Sequence, residues 1–201
     1  MADEFIQKTF DRARSAGLRK RFSDRAIEWF SERVRTTKVF RGNKDRILKQ
    51  DSLFIDSTPE PGKMYLFQYD AKTKEKLPYF DRIPLILLVN EAPNGFVGLN
   101  IHYLSPQVRA KFFSKLLELR NTKKRFDRRT HLQLSYDFLN GSSKYKEFAP
   151  TFKRYLFEYV KSPIKEVNSQ HWEVVTWLPF EDFTANRRTV WADSKRKIKN
   201  R

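Results

Sequence analysis

Residues 83–89 read Ile-Pro-Leu-Ile-Leu-Leu-Val, an apolar run followed at once by Asn90-Glu-Ala-Pro-Asn-Gly95, and no other stretch restricts the fold as strongly. The run is short for a helix and does not alternate as a half-buried strand would, so it suits a strand covered on both faces. The proline and the Asn-Gly pair supply a reversal, and residues 96–103 are expected to return as a second strand. Residues 64–69 read as a third, behind a turn or linker at Pro59-Glu-Pro-Gly62. The connections between these strands are too short for crossover helices, which favours an antiparallel meander over a parallel sheet.

Helical spacing frames this core. Ser105-Pro106 offers an N-cap and a first-turn proline, and Val108, Phe112, Leu116 and Leu119 follow along one face. Phe148, Phe152, Tyr155, Leu156 and Tyr159 predict a second helix that ends before Pro163. Between them, residues 131–139 (HLQLSYDFL) alternate as a half-buried strand, and residues 172–178 (WEVVTWL) read as a last one. From Thr184 onward a basic helix is expected, anchored by Val190, Trp191 and Ile198. Residues 3–38 carry apolar side chains at helical intervals, with a break near Gly17. The expected architecture is α+β: a small, strongly curved antiparallel sheet, at its limit a partly closed barrel, flanked by helices and extended by helices at both ends. Residues 1–58 form the basic helical N-terminal extension, and residues 59–201 the α+β core with its basic C-terminal helix.

The fold must carry 41 Lys and Arg against 24 Asp and Glu, a formal charge of +17 and a pI near 10.1. A polyanion is the natural partner, nucleic acid first, because counterion release turns such an excess into binding free energy. Docking on acidic protein neighbours is the alternative. Aromatic residues at 15%, 18 of them Phe, argue against a disordered basic tail. Residues 105–129 hold nine basic side chains against two acidic ones. The chain has no cysteine, which excludes disulfides, thiolate nucleophiles and cysteine metal knuckles. No apolar run approaches the roughly 20 residues of a membrane helix, and the protein reads as soluble with no membrane partner.

Catalytic patterns are sparse. His102, His131 and His171 are scattered, and His102 is expected to belong to the fold. Gly-x-Ser-x-Gly, phosphate-binding glycine loops and the His-x-x-x-His, Glu-x-x-His and Asp-x-Asp spacings of metal sites do not occur. Asp70, Asp81, Glu91 and Glu173 lie on or beside expected strands, which leaves a divalent-metal nuclease open as a third reading. Asp81 serves equally as a turn residue. Tyr79 and Phe80, between two prolines, are candidates for stacking on a base, with core packing as the plainer role.

The run GKMYLFQYDAKTKEKLPYFDRIPLILLV, followed by GFVGLNIHYLSPQVRA, FAPTFKRYLFEYVKS, WEVVTWLPFEDF and VWADSKRKI, resembles the DNA end protector, or head-completion, family of T-even-like contractile-tailed bacteriophages, over residues 62–198. The resemblance implies a late virion protein that binds the termini of packaged linear double-stranded DNA and shields them from host exonuclease on entry. It would act in the virion, and in the host cytoplasm during assembly and entry, beside phage head, neck or tail proteins. It implies no enzyme, and no cofactor, metal ion or catalytic residue is assigned. A structural neck, baseplate or head-completion protein docking on acidic subunits is the alternative. For DNA contact the charge distribution nominates Arg120, Lys123, Lys124, Arg125, Arg128 and Arg129, and on the final helix Arg187, Arg188, Lys195, Arg196 and Lys197.

Overall fold

The computed structural model describes residues 54–56, 58–105, 146–167 and 180–199, together with positions 108, 109, 112 and 172. Among these residues six strands run in chain order: β1 Phe54–Asp56, β2 Met64–Leu66, β3 Leu85–Ala92, β4 Gly95–Asn100, β5 Phe152–Leu156 and β6 Lys165–Val167. They form one sheet in the order β1-β6-β2-β3-β4-β5, and every pairing is antiparallel. The chain is therefore α+β. Among the described residues the sheet is open, with β1 and β5 at its edges, and does not close into a barrel.

The meander β2-β3-β4 follows from the apolar run. Leu85 to Val89 are all buried, Ile86 and Leu88 in one aromatic cluster and Leu85 and Leu87 alternating away from it, so both faces of β3 are covered. The register shift between Leu88 and Asn90 makes a bulge, which bends the strand. The hairpin turns on Pro93 and Asn94, with Ala92 opposite Gly95. Proline fixes a negative φ, so the left-handed φ of 58° falls on Asn94, as a type II turn requires of its second central residue. Gly95 answers a different need. A Cβ there would sit 1.9 Å from the Tyr155 carbonyl oxygen, so β4 and β5 can approach only where position 95 lacks a side chain.

Two expectations change at this point. The strand that starts at Gly95 ends at Asn100, and Ile101–Tyr103 form a buried 3-10 turn whose first N–H groups are capped by the Asn100 side chain, His102 N donating to Asn100 Oδ1 at 3.0 Å. The helix predicted from Phe148 to Tyr159 is instead 3-10 turn, strand and 3-10 turn: Lys146–Thr151, β5, and Phe157–Tyr159. Pairing with β4 decides it, because Tyr155 then packs beside Phe96 while its backbone completes the sheet.

Val108, Arg109 and Phe112 are helical, and Arg109 N donates to the Ser105 carbonyl, as the Ser-Pro start predicted. Trp172 has helical backbone where a strand over 172–178 was expected. The helices expected over 3–38, the rest of the helix after Pro106, the strand at 131–139 and positions 173–178 lie outside the described residues. No described helix is long and apolar enough to cross a membrane.

Candidate nucleic-acid interface

Asp81 is the joint on which the surface is mounted. Its carboxylate is buried and accepts four hydrogen bonds: Oδ1 from the N–H of Ile83 and of Asp182, both at 3.2 Å, and Oδ2 from Asn100 Nδ2 at 3.1 Å and His102 Nδ1 at 2.7 Å. Burial pushes the Asp81 carboxyl upward, but the facing His102 imidazole and the hydrogen bonds from His102, Asn100 and Asp182 outweigh it and hold the group below the usual carboxylate range. Asn100 also donates to the Tyr155 hydroxyl at 3.0 Å. His102 is thus part of the fold, as expected, but it has partners that no local pattern announces. Its Nε2 is enclosed without a hydrogen bond among the described residues.

The segment around Asp81 carries the residues that precede the final helix. Phe183 bridges Asp81, Arg82 N donates to the Asp182 carbonyl, Thr184 N to the Phe80 carbonyl, and Arg82 Nη2 meets Asp182 at 2.9 Å. The basic helix Arg187–Lys199 then starts at Asn186, whose side chain accepts from Arg188 N at 2.9 Å. Val190 is buried against Tyr79, Tyr103 and Phe183, and the Trp191 indole donates to the His102 carbonyl at 2.9 Å. These contacts bear out two of the three anchors predicted for this helix; the Ile198 side chain lies outside the described residues.

On this helix Arg187, Arg188, Lys195, Arg196 and Lys197 are all exposed. Their surroundings differ. Arg187 lies 3.6 Å from Glu181, and Arg196 is paired with Asp193 one turn back. Lys197 leans toward the Tyr79 ring, with Nζ 6.0 Å from its centroid. Arg188 and Lys195, seven positions apart, share a face. Arg109, counted in the basic stretch 105–129, is turned inward: it is buried, donates to the Leu104 carbonyl at 3.3 Å and lies 3.9 Å from Glu181. Arg120, Lys123, Lys124, Arg125, Arg128 and Arg129 lie outside the described residues.

Beside the helix opens a cavity of about 820 Å³ at the seam between the sheet's aromatic cluster and the Tyr79–Tyr103–Phe183 cluster. Its walls include Tyr69, Tyr79, Phe80, Tyr103 and Tyr155, and its mouth carries Lys72, Leu77, Arg154 and Phe157. Tyr79 serves in core packing, as the plainer of its two predicted roles had it, its ring edge against Phe183. Sequence reasoning missed Lys153, which lines the cavity from β5 with Nζ 4.4 Å over the Tyr103 ring. Desolvation, and after it the nearby charge of Lys197, pushes the Lys153 ammonium down to about 8. Phe152-Lys-Arg154 carries no pattern that marks the middle residue.

Of the carboxylates that left a nuclease open, the three that are described do not form a metal-holding group. Asp70 pairs with Lys74 at 2.9 Å, Asp81 is occupied in the core, Glu91 is exposed on β3, and Glu173 lies outside the described residues. Among the described residues no group of three or more His, Asp or Glu side chains could hold a metal ion.

Fold and surface together define a basic α+β protein that, among the described residues, carries exposed cations on its final helix and three further cations in the lining of an aromatic cavity. The family described as Phage T4 terminal DNA protecting protein matches residues 1–199, and the chain belongs to that family. No curated protein and no solved structure matches it.

Proposed function

We propose that this protein binds the termini of linear double-stranded phage DNA as a non-enzymatic virion component and shields them from host exonuclease, in the particle and, after entry, in the host cytoplasm. The observation that carries this reading is the family match over nearly the whole chain. The physics of the surface supports it. Occluding an end of arbitrary sequence calls for affinity without base readout, and phosphate contacts provide that. The exposed face of Arg187–Lys199, held rigidly by Val190 and Trp191, offers such contacts. The cluster from Arg120 to Arg129 would extend them, and phage head, neck or tail proteins would hold the protein at the site of packaging.

Gel shifts on linear, circular and hairpin-capped DNA test the reading. Tighter binding to open linear DNA is expected, with log K falling against log salt at a slope of about −5 for roughly six phosphate contacts. Equal affinity for all three forms refutes end binding, and degradation of the DNA on adding Mg²⁺ refutes a purely binding role.

A further inference from the structure

We propose that the cavity between β5 and the segment from Tyr69 to Asp81 receives the terminal nucleotide of one DNA strand, its base against Phe157 and Leu77 and its phosphate held by Lys153 and Lys72. The inference rests on the end-binding function and assigns it a pocket.

Three observations converge there. The cavity, at about 820 Å³, is within the size range of small-molecule sites and suits one or two nucleotides; helical DNA as a whole remains outside it. Two of the three large apolar side chains exposed among the described residues stand at its mouth: Leu77 is 41% and Phe157 49% exposed, and both belong to its lining. A phenyl ring in water beside a cleft has a flat face to offer a base, and its edge contact with Phe96, at 5.5 Å between centroids, holds it in place. The third observation is charge. Lys153 is half-buried in the wall and sits over the Tyr103 ring, with a second lysine, Lys197, as the neighbour that acts on its charge. Lys72 stands exposed on the rim. A phosphate entering here would meet Lys153, Lys72 and Arg154, with Glu158 the exposed acid in the same lining, and would relieve the repulsion between Lys153 and Lys197.

The pocket also explains how ends could be told from the interior of a duplex. Bringing a base into a cavity requires unstacking it, which is least unfavourable where pairing is already loose. A terminal base pair has a stacking neighbour on one side only. The basic helix would bind phosphates along any duplex, and the cavity would accept a nucleotide only where a strand ends.

The test uses the full chain with duplexes carrying 2-aminopurine at the terminal or at an internal position, alongside closed circular DNA. Terminal 2-aminopurine is expected to brighten on binding, as it leaves its stacked neighbour, and internal 2-aminopurine to be unaffected. Phe157→Ala and Lys72→Glu, both at exposed positions, should lower the preference for open ends by about tenfold while binding to circular DNA changes far less. Arg188→Glu with Lys195→Glu should weaken binding to every form. If the unaltered protein prefers ends and both pocket variants keep that preference, the pocket assignment is wrong and the end-binding function stands. If the unaltered protein shows no preference for ends, both fall. Free nucleotide that competes as strongly as a strand terminus for the site would show a nucleotide site unconnected with DNA ends and would also overturn the assignment.

Discussion

Two polar regions flank the Tyr103 ring, and they handle charge in opposite ways. On one side the Asp81 carboxylate is buried with a donor on each of its lone-pair directions: two backbone N–H groups, an amide and an imidazole. On the other side Lys153 is half-buried over an aromatic face, and the charge acting on it is another lysine. The first arrangement ties together parts of the chain far apart in sequence. The second leaves a cation whose electrostatics improve when an anion arrives. Burial of a charged group therefore does not by itself distinguish framework from site; the balance of its partners does.

The sharpest way to break this contrast is Asp81→Ala. It leaves the His102 and Asn100 donors and two backbone N–H groups without their acceptor, and a loss of about 3–5 kcal/mol is expected in denaturant unfolding. A loss below about 1 kcal/mol would mean the joint is not what holds the 3-10 turn to the residues before the basic helix. Next in size is Gly95→Ala, which drives a methyl group into the Tyr155 carbonyl and should lower stability by about 1–3 kcal/mol through displacement of β5, the strand that carries Lys153.

The cationic side is probed by pH. With a folded-state pKa of about 8, below the ordinary lysine value, Lys153 loses its proton as pH rises through 8 while the unfolded chain keeps it. In that window the unfolded state binds more protons, so this residue's contribution to stability rises with pH. Affinity for DNA ends should fall over the same range, because the phosphate loses a cation. Lys197 and Tyr103 face the same ammonium, so the comparison is made against Lys153→Gln, whose end binding should be weaker at pH 7 and flatter between pH 7 and 9. A parallel pH response in the variant would assign the effect elsewhere. The smallest effects belong to the helix. Arg188→Ala and Lys195→Ala should each reduce the salt slope of DNA binding by about 1 and change stability by no more than about 0.5 kcal/mol.

The hairpin around Pro93 and Asn94 was legible because its signals are local: an apolar run too continuous for a half-buried strand and a turn pair that sets φ. The basic helix was legible for the same reason, down to Val190 and Trp191. The segment from Phe148 to Tyr159 was not, since its aromatic residues fall at intervals of three and four, and only pairing with β4, more than fifty residues earlier, makes it a strand. His102 looked solitary because its partner Asp81 lies 21 positions upstream and reaches it through the turn at Asn100. Lys153 was invisible for a related reason: nothing in Phe-Lys-Arg tells which cation will lie over Tyr103 and which, like Arg154, will reach out to the Pro93 carbonyl.

The stack of Tyr79, Tyr103 and Phe183 is a wall with two tenants. Val190 rests on one side of it, and Tyr79 and Tyr103 present their other edges to the cavity. A duplex pulling on the basic helix and a strand end seated in the cleft would thus both bear on the Tyr79 and Tyr103 rings, so the grip on the shaft and the grip on the tip would be mechanically one.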